Sequence, residues 1–318
     1  MRILITGGAG FIGRWVARKI LLDGHDAVIL DNLSNGRVEN IREFAGFQAT
    51  AEFIKGDIKD SGRLKSLFDT NRFDLCLHLA ASINVQDSID RPSETFENDV
   101  VGTFNLLEQC RRRNCKMVYM STCMVYDKAE DDRESGIDEM HPVKVASPYA
   151  GSKVAGESLV LSYWYTYRLP VVIVRPFNTY GPFQKTGGEG GVVAIFIKKA
   201  LEGETLKIYG SGEQTRDLLY VEDCADFIVR AGYSDAANGE ILNAGLGSDI
   251  DINRLADMVA GGRADIEHVP HIHPQSEIMR LCSDWQKAKR VLGWEPKVSL
   301  EEGLRRTEEW IRSNPELI

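Results

Sequence analysis

The sequence predicts an α/β fold: a doubly wound parallel sheet carrying a smaller C-terminal substrate-binding lobe. Three observations lead there. Short, almost continuously apolar runs alternate with helix-length patterns through the first half of the 318 residues. Strands buried on both faces read that way, and alternation with helices makes the sheet parallel. A glycine-rich turn joins the first run directly to the first helix. After about Thr179 the rhythm changes to helices separated by glycine and proline breaks.

In order, Arg2 to Thr6, Ala27 to Asp31, Glu52 to Lys55, Leu75 to Leu79, Met117 to Met120 and Val171 to Val174 read as buried strands. Phe11 to Leu22, Gly62 to Phe68, Phe96 to Arg112 and Tyr149 to Tyr167 read as helices between them. Right-handed crossovers then favour a doubly wound topology. Gly187 to Gly191 reads as a flexible loop before a helix at Val192 to Leu201. Further helices are expected at Arg254 to Val259, Trp285 to Leu292 and Leu300 to Ile311. The expected division is a dinucleotide-binding domain at 1–178, with a return segment near 218–245, and a lobe at 179–318.

Hydrophobic residues make up 43% and charged residues 27%, with a net charge of −9. That charge argues against a broad nucleic-acid or anionic-membrane surface. The longest apolar runs, such as Val192 to Ile197, are too short to span a bilayer. Met1 to Thr6 runs straight into glycines without a signal-peptide pattern. Six cysteines, at 76, 110, 115, 123, 224 and 282, show neither CxxC pairing nor zinc spacing. A reduced, cytoplasmic protein without a metal site is the expectation.

Gly7, Gly10 and Gly13 follow the first strand and open the first helix. They allow a tight turn, close approach of a pyrophosphate, and helix-on-strand packing; the amides of Phe11, Ile12 and Gly13 then face the phosphates. Asp31 ends the second strand, where a carboxylate accepts from ribose hydroxyls and repels a 2′-phosphate, favouring NAD over NADP. Asp57 and Ile58, after the third strand, read equally well as an adenine contact or a solvated turn. Leu79, Ala80 and Ala81 end the fourth strand at the same edge. Tyr149 and Lys153 stand four apart on one helix face, where an ammonium can favour the phenolate and make tyrosine a base.

With these residues assembled, the sequence resembles the extended short-chain dehydrogenase/reductase family, in particular its nucleotide-sugar epimerases and dehydratases. Thr6 through Gly13, Asp31-Asn32-Leu33-Ser34, His78 through Ala81, Asn98 through Asn105 and Tyr149 through Lys153 look like successive family signatures. So do Arg175 through Pro182, Gln214 through Asp217 and Leu292 through Pro296. The resemblance implies a Rossmann domain and a shared first step, in which Tyr149 takes the proton of a sugar 4-hydroxyl while NAD takes the hydride from carbon 4. It also implies that Lys153 holds the nicotinamide ribose and lowers the tyrosine pKa, and that Thr122 binds the reacting hydroxyl. Asn32, Ser34 and Asn98 join the NAD contacts. Asn84, Asn178, the loop through Val192, Arg216 and, more loosely, Arg280 fall at substrate positions for a UDP-sugar. An ion pair with Asp217 is the plainer reading of Arg216.

The family's 4,6-dehydratases carry Thr-Asp-Glu where this chain has Thr122-Cys123-Met124. A thioether moves no proton, whereas a thiol can. Ordinary 4,6-dehydration is therefore not expected. The Cys-Met pair resembles that of the tunicamycin-pathway UDP-N-acetylglucosamine 5,6-dehydratases, which implies a UDP-hexosamine dehydrated to a 5,6-ene, with Cys123 first and Tyr149 second in line for the carbon 5 proton. A small buried filler is the bland reading of Cys123. A 4-epimerase, or an NAD-sensing protein without chemistry, are the other readings. His271 and His273 could share a strand face but lack a third ligand, and Arg111 to Arg113 reads as a solvated helix end. Helices 96–112 and 149–167 are expected to pair with their copies in a homodimer, burying Tyr163 or Trp164.

Overall fold

The computed structural model describes residues 1–127, 136–187, 191–271 and 278–317. Gly188 to Gly190 of the expected flexible loop, together with His273, lie outside them. The chain opens with β1 (Arg2–Thr6), α1 (Phe11–Leu22), β2 (Asp26–Asp31), β3 (Ala51–Lys55), α2 (Ser61–Thr70) and β4 (Leu75–His78). It continues through α3 (Val85–Asp90), α4 (Pro92–Phe96), a π-turn at Glu97–Val101, α5 (Gly102–Arg113), β5 (Lys116–Met120), α6 (Pro148–Tyr167) and β6 (Val171–Pro176). Much later β10 (Ile241–Ala244) completes the sheet.

Seven parallel strands take the order β10-β6-β5-β4-β1-β2-β3. Alternating side chains explain how this sheet is covered twice. Ile3 and Ile5 of β1 pack in one buried cluster with Val16, Ile20, Phe227 and Ile228, while Leu4 between them joins Leu64, Leu106 and Val160 on the other face. The strand order reverses between β1 and β4, whose register pairs Thr6 with His78. A crevice at the carboxyl ends of the strands opens at such a reversal. Gly7 and Leu79 stand there.

After β6 the chain builds a second layer: β7 (Asn178–Tyr180), α7 (Val192–Glu202), β8 (Leu206–Tyr209) and β9 (Thr215–Tyr220). It returns through α8 (Val221–Tyr233), which packs on α1, and through β10. Then come β11 (Asp249–Asp251), α9 (Ile252–Ala260), β12 (Ile266–Val269), β13 (Arg280–Leu281), α10 (Gln286–Leu292) and α11 (Leu300–Ser313). β9 lies at the centre of this layer, flanked by β11, β13 and β7. A separate apolar cluster holds α7, α9 and α11 together through Phe196, Leu255 and Ile311.

Two sequence expectations need correction. The helix expected at 96–112 begins at Pro92 and widens at Glu97–Val101, where the Gly102 amide reaches back five residues to the Glu97 carbonyl. Tyr163 is already buried within its own chain, its hydroxyl donating to Glu108 at 2.8 Å, and Trp164 lies over Gly239. Tyr163 is therefore not spare for a partner, whereas Trp164 remains half-buried. The exposed aromatics of these helices include Phe96, Phe104, Tyr165 and Tyr167.

Candidate active site

The glycine turn is tight because its neighbours are backbone. Gly7 has φ +72°, and a Cβ there would lie 2.8 Å from the Ala80 amide nitrogen. A Cβ on Gly13 would run into the Gly7 carbonyl oxygen and sit 2.7 Å from Gly8 Cα. Gly10 caps α1 without a side-chain bond, so the amides of Phe11, Ile12 and Gly13 face the crevice without intrahelical acceptors. This is a cradle for a pyrophosphate.

At its rim Asp31 is buried and accepts from the Ala9 amide at 3.0 Å and the Leu33 amide at 2.8 Å. Asn32 accepts from the Ser34 amide at 2.9 Å and donates to Asp57 at 3.1 Å. Asn32, Ser34 and Asp57 therefore come together beside Asp31. Ile58 is buried against Gly102, where a Cβ would meet it at 2.5 Å. Leu79 and Ala80 bind the end of β1 through the Thr6 carbonyl and hydroxyl, at 3.1 and 3.3 Å. Ala81 follows them, and Asn98 donates to Asp99 at 3.0 Å on the opposite wall.

Ser147 caps α6 by accepting from the Ala150 amide at 3.2 Å, with Pro148 in the first turn. That start turns Tyr149 and Lys153 inward, and both are buried. The Tyr149 amide is tied to Ser88 Oγ at 3.1 Å. The Tyr149 phenol meets the Thr122 hydroxyl, which also accepts from the Met124 amide at 3.2 Å. Cys123 is buried in the short turn Cys123–Val125, next to that pair.

The electrostatics differ from the expectation. Lys153 donates to the Met120 carbonyl at 3.1 Å, and its ammonium is 5.9 Å from the Tyr149 ring. Burial, reinforced by Asp99, pushes the phenol above its ordinary range, against the Thr122 hydrogen bond. Burial lowers Lys153, opposed by Asp99 and Glu157. In this arrangement burial outweighs the lowering of the phenol expected from Lys153. Burial also pushes the Cys123 thiol up to about 12, with Asp217 adding to the rise and Arg216 opposing it. A neutral thiol, rather than a ready thiolate base, faces the site near pH 7.

On the lobe side, Asn178, Arg216 and Arg280 lie on the neighbouring strands β7, β9 and β13. The Asn178 side-chain oxygen Oδ1 is buried without a hydrogen-bond partner among the described residues. Arg216 donates to the carbonyls of Thr215 at 2.7 Å and Ile278 at 2.9 Å, and Arg280 pairs with Asp249 at 3.5 Å. Asp217 points into the fold, accepting from the Leu246 and Gly247 amides and from Ser283. Val192 begins α7. Asn84 caps α3, its side chain accepting from the Asp87 amide at 2.7 Å.

The family model described as the NAD dependent epimerase/dehydratase family matches residues 3–245. The chain belongs to that family. A UDP-glucose 4-epimerase of Mycolicibacterium smegmatis is 39% identical, over 98% of this chain and 99% of the relative. The X-ray structure of Pal from Bacillus thuringiensis is 64% identical with a TM-score of 0.96, covering 98% of this chain and 99% of that one. A UDP-glucose 4-epimerase from Thermotoga maritima, solved with UDP-glucose, is 33% identical with a TM-score of 0.92 over 99% and 100% of the two chains. The cofactor of this enzyme is NAD, and the glycine cradle fits it: a side chain at Gly7 or Gly13 would collide with backbone and break the tight turn that presents the α1 amides to a pyrophosphate. The buried Asp99, which accepts from Ser152 of α6 at 3.0 Å, escaped the sequence reading. Its signal was a charge on the buried stripe shared with Thr103 and Leu106.

Proposed function

We propose that the protein removes water from a UDP-hexosamine such as UDP-N-acetylglucosamine, leaving a 5,6-ene with its carbon 4 hydroxyl restored. The observation that supports this most is the turn Thr122-Cys123-Met124 against Tyr149, in which positions 123 and 124 present a neutral thiol and a thioether and neither is a carboxyl. Gly7, Gly10, Phe11, Ile12, Gly13, Asp31, Asn32, Ser34, Asp57, Ile58, Leu79, Ala80, Ala81, Asn98 and Lys153 would hold NAD. Bound NAD supplies the hydride acceptor for carbon 4 and then the hydride donor to the same carbon.

Tyr149 takes the proton of the 4-hydroxyl as phenolate, the form that Lys153 favours and burial opposes, while Thr122 holds that oxygen. The resulting ketone makes the carbon 5 proton acidic. Cys123, neutral at about 12, must lose its own proton before accepting another. Tyr149 already carries the proton taken from the 4-hydroxyl, and on that ground we place it ahead of Cys123 for this step: the phenol gives that proton to the departing 6-hydroxyl and receives the carbon 5 proton in exchange. It finally protonates the carbon 4 oxygen and returns to phenolate. The proton count closes with one water lost. Met124 and Cys123 form a wall with no strong acid to protonate carbon 5. Asn178, Arg216, Arg280 and the amide of Val192 would bind the diphosphate, with Asn84 at the sugar end.

The lobe at 179–318 would hold the UDP-sugar, and residues 1–178 with 218–245 would hold NAD. We propose a homodimer as the assembly. A second reading, 4-epimerisation, is favoured by the 39% identity to the Mycolicibacterium smegmatis epimerase and needs no proton-transfer group besides Tyr149. Mass spectrometry and proton NMR of the product from UDP-N-acetylglucosamine separate the two. Loss of one water, with vinyl protons at carbon 6 and a carbinol proton at carbon 4, is expected. Unchanged mass with inverted carbon 4 supports the epimerase. A methyl signal beside a carbon 4 ketone would move the protein to the 4,6-dehydratases.

A further inference from the structure

We infer that Asp99 is a positioning residue of this site: its buried carboxylate anchors the start of α6 and supplies the negative charge that faces Lys153 and Tyr149. The inference rests on Tyr149 being the proton-transfer group. Asp99 is 1% exposed and lies inside the π-turn Glu97–Val101. Such turns interrupt a helix at a cost, and recur where a side chain must be aimed. Here Oδ1 accepts from the Ser82 amide at 2.7 Å and from Asn98 at 3.0 Å, and Oδ2 accepts from Ser152 Oγ at 3.0 Å. Ser152 sits between Tyr149 and Lys153 and also donates to the Tyr149 carbonyl at 2.8 Å. One carboxylate thus joins the loop after Ala81 to the helix that carries the base.

The turn itself is braced from the sheet. The Asp99 carbonyl accepts from Thr103 Oγ1 at 2.5 Å, Thr103 meets His78 Nε2 at 2.9 Å, and His78 Nδ1 meets Thr6 at 2.8 Å. The groups that face the pair are few. Tyr149 is faced by Asp99, Cys123 and the Thr122 hydroxyl. Lys153 is faced by Asp99, Glu157 and His78, and Glu157 is engaged by Arg175 at 2.6 Å. Tyr119 lies between, 5.4 Å from the ammonium and coupled to Asp99 and Glu157. With Glu157 paired, Asp99 is the anion left, among the described residues, to balance Lys153. The same charge resists formation of a phenolate at Tyr149.

Asp99→Asn keeps the shape and removes the charge. The tyrosinate absorbance of the purified protein is titrated, with Tyr149 isolated by subtracting Tyr149→Phe. Asp99→Asn is expected to move that titration down by about one pH unit. Both limbs of the kcat profile with UDP-N-acetylglucosamine should follow, because the phenol and the ammonium each lose the same negative neighbour. Ser152→Ala, which keeps the charge, should slow turnover without moving either limb. If Asp99→Asn does not fold, Asp99→Ser carries the same expectation. An unmoved tyrosinate titration in a folded variant, with Tyr149→Phe inactive, overturns the role of Asp99 alone. A fully active Tyr149→Phe overturns the base assignment and this inference with it.

Discussion

The Ala9 amide donates to Asp31 Oδ2 at 3.0 Å, so the carboxylate at the end of β2 also ties down the glycine turn after β1. The Leu33 amide occupies the other oxygen. Each oxygen keeps a second lone pair for a ribose hydroxyl. Asp31→Ser should therefore do two things. It should cut the preference for NAD over NADP by at least about tenfold, roughly 1.4 kcal/mol, and lower the melting temperature by loosening the turn. Calorimetric titration with both dinucleotides, beside a thermal melt, checks this. Equal NADP and NAD affinity in the unaltered protein would remove Asp31 from the selectivity argument.

Gly13→Ala tests the cradle. The added methyl meets the Gly7 carbonyl and Gly8 Cα, both backbone, so no side chain can swing away. A cost of about 1–3 kcal/mol in stability is expected from such overpacking, with loss of dinucleotide on purification. Release of cofactor by denaturation, assayed enzymatically, gives the occupancy. Wild-type occupancy in the variant would show that the turn has room to spare.

Much of this was legible in the sequence, for physical reasons. Strands buried on both faces have no polar alternation to confuse with helix, so β1 and α1 were read with the observed bounds. The Tyr149 and Lys153 pair was legible because four residues is one helical turn. What escaped depended on chain segments far apart. Asp99 acts through Ser82 and Ser152, and the π-turn that aims it has no simple residue code. The pKa directions were missed for the same reason: burial, set by the whole fold, outweighs the lysine four residues away.

Tyr149→Phe removes only the hydroxyl and keeps the ring in its buried slot. A loss of turnover of about 10²–10⁴-fold or more is expected, with NAD and UDP binding nearly unchanged. Steady-state kinetics beside calorimetry separate the two quantities. A loss of UDP affinity equal to the loss of rate would make the residue a binding group instead.

The face formed by α4 and α5 leaves Phe96 54% and Phe104 45% exposed, and Phe96 lines a groove with Pro92, Pro148 and Ala155. Two such aromatics, about two helical turns apart, fit burial against a second copy of the chain. Light scattering at micromolar concentration should give a dimer, and Phe104→Glu should give a monomer. A dimer that survives Phe104→Glu would place the interface elsewhere.

His78 supplies a pH test of the fold. It is 2% exposed between Thr6 and Thr103, and burial, then the charge of Lys153, lowers its pKa from 6.5 to about 3. The folded-state value is below the unfolded one, so between the two the unfolded chain binds the extra proton. Stability from keeping this imidazole neutral is complete above about pH 6.5 and is lost as pH falls towards 3. The slope from this one group approaches about 1.4 kcal/mol per pH unit. His78→Asn removes the titration but leaves Thr103 poorly paired, which should cost about 1–3 kcal/mol at neutral pH. Urea unfolding of both proteins at pH 7.5, 6 and 5, a range chosen to straddle the ordinary histidine pKa of about 6.5, reads the difference directly. Groups that titrate alike in both, such as Asp217, cancel. The variant should be clearly weaker at the highest pH, and the gap should narrow as pH falls. A gap that stays constant across the series would mean that His78 is not held neutral against a charged unfolded form.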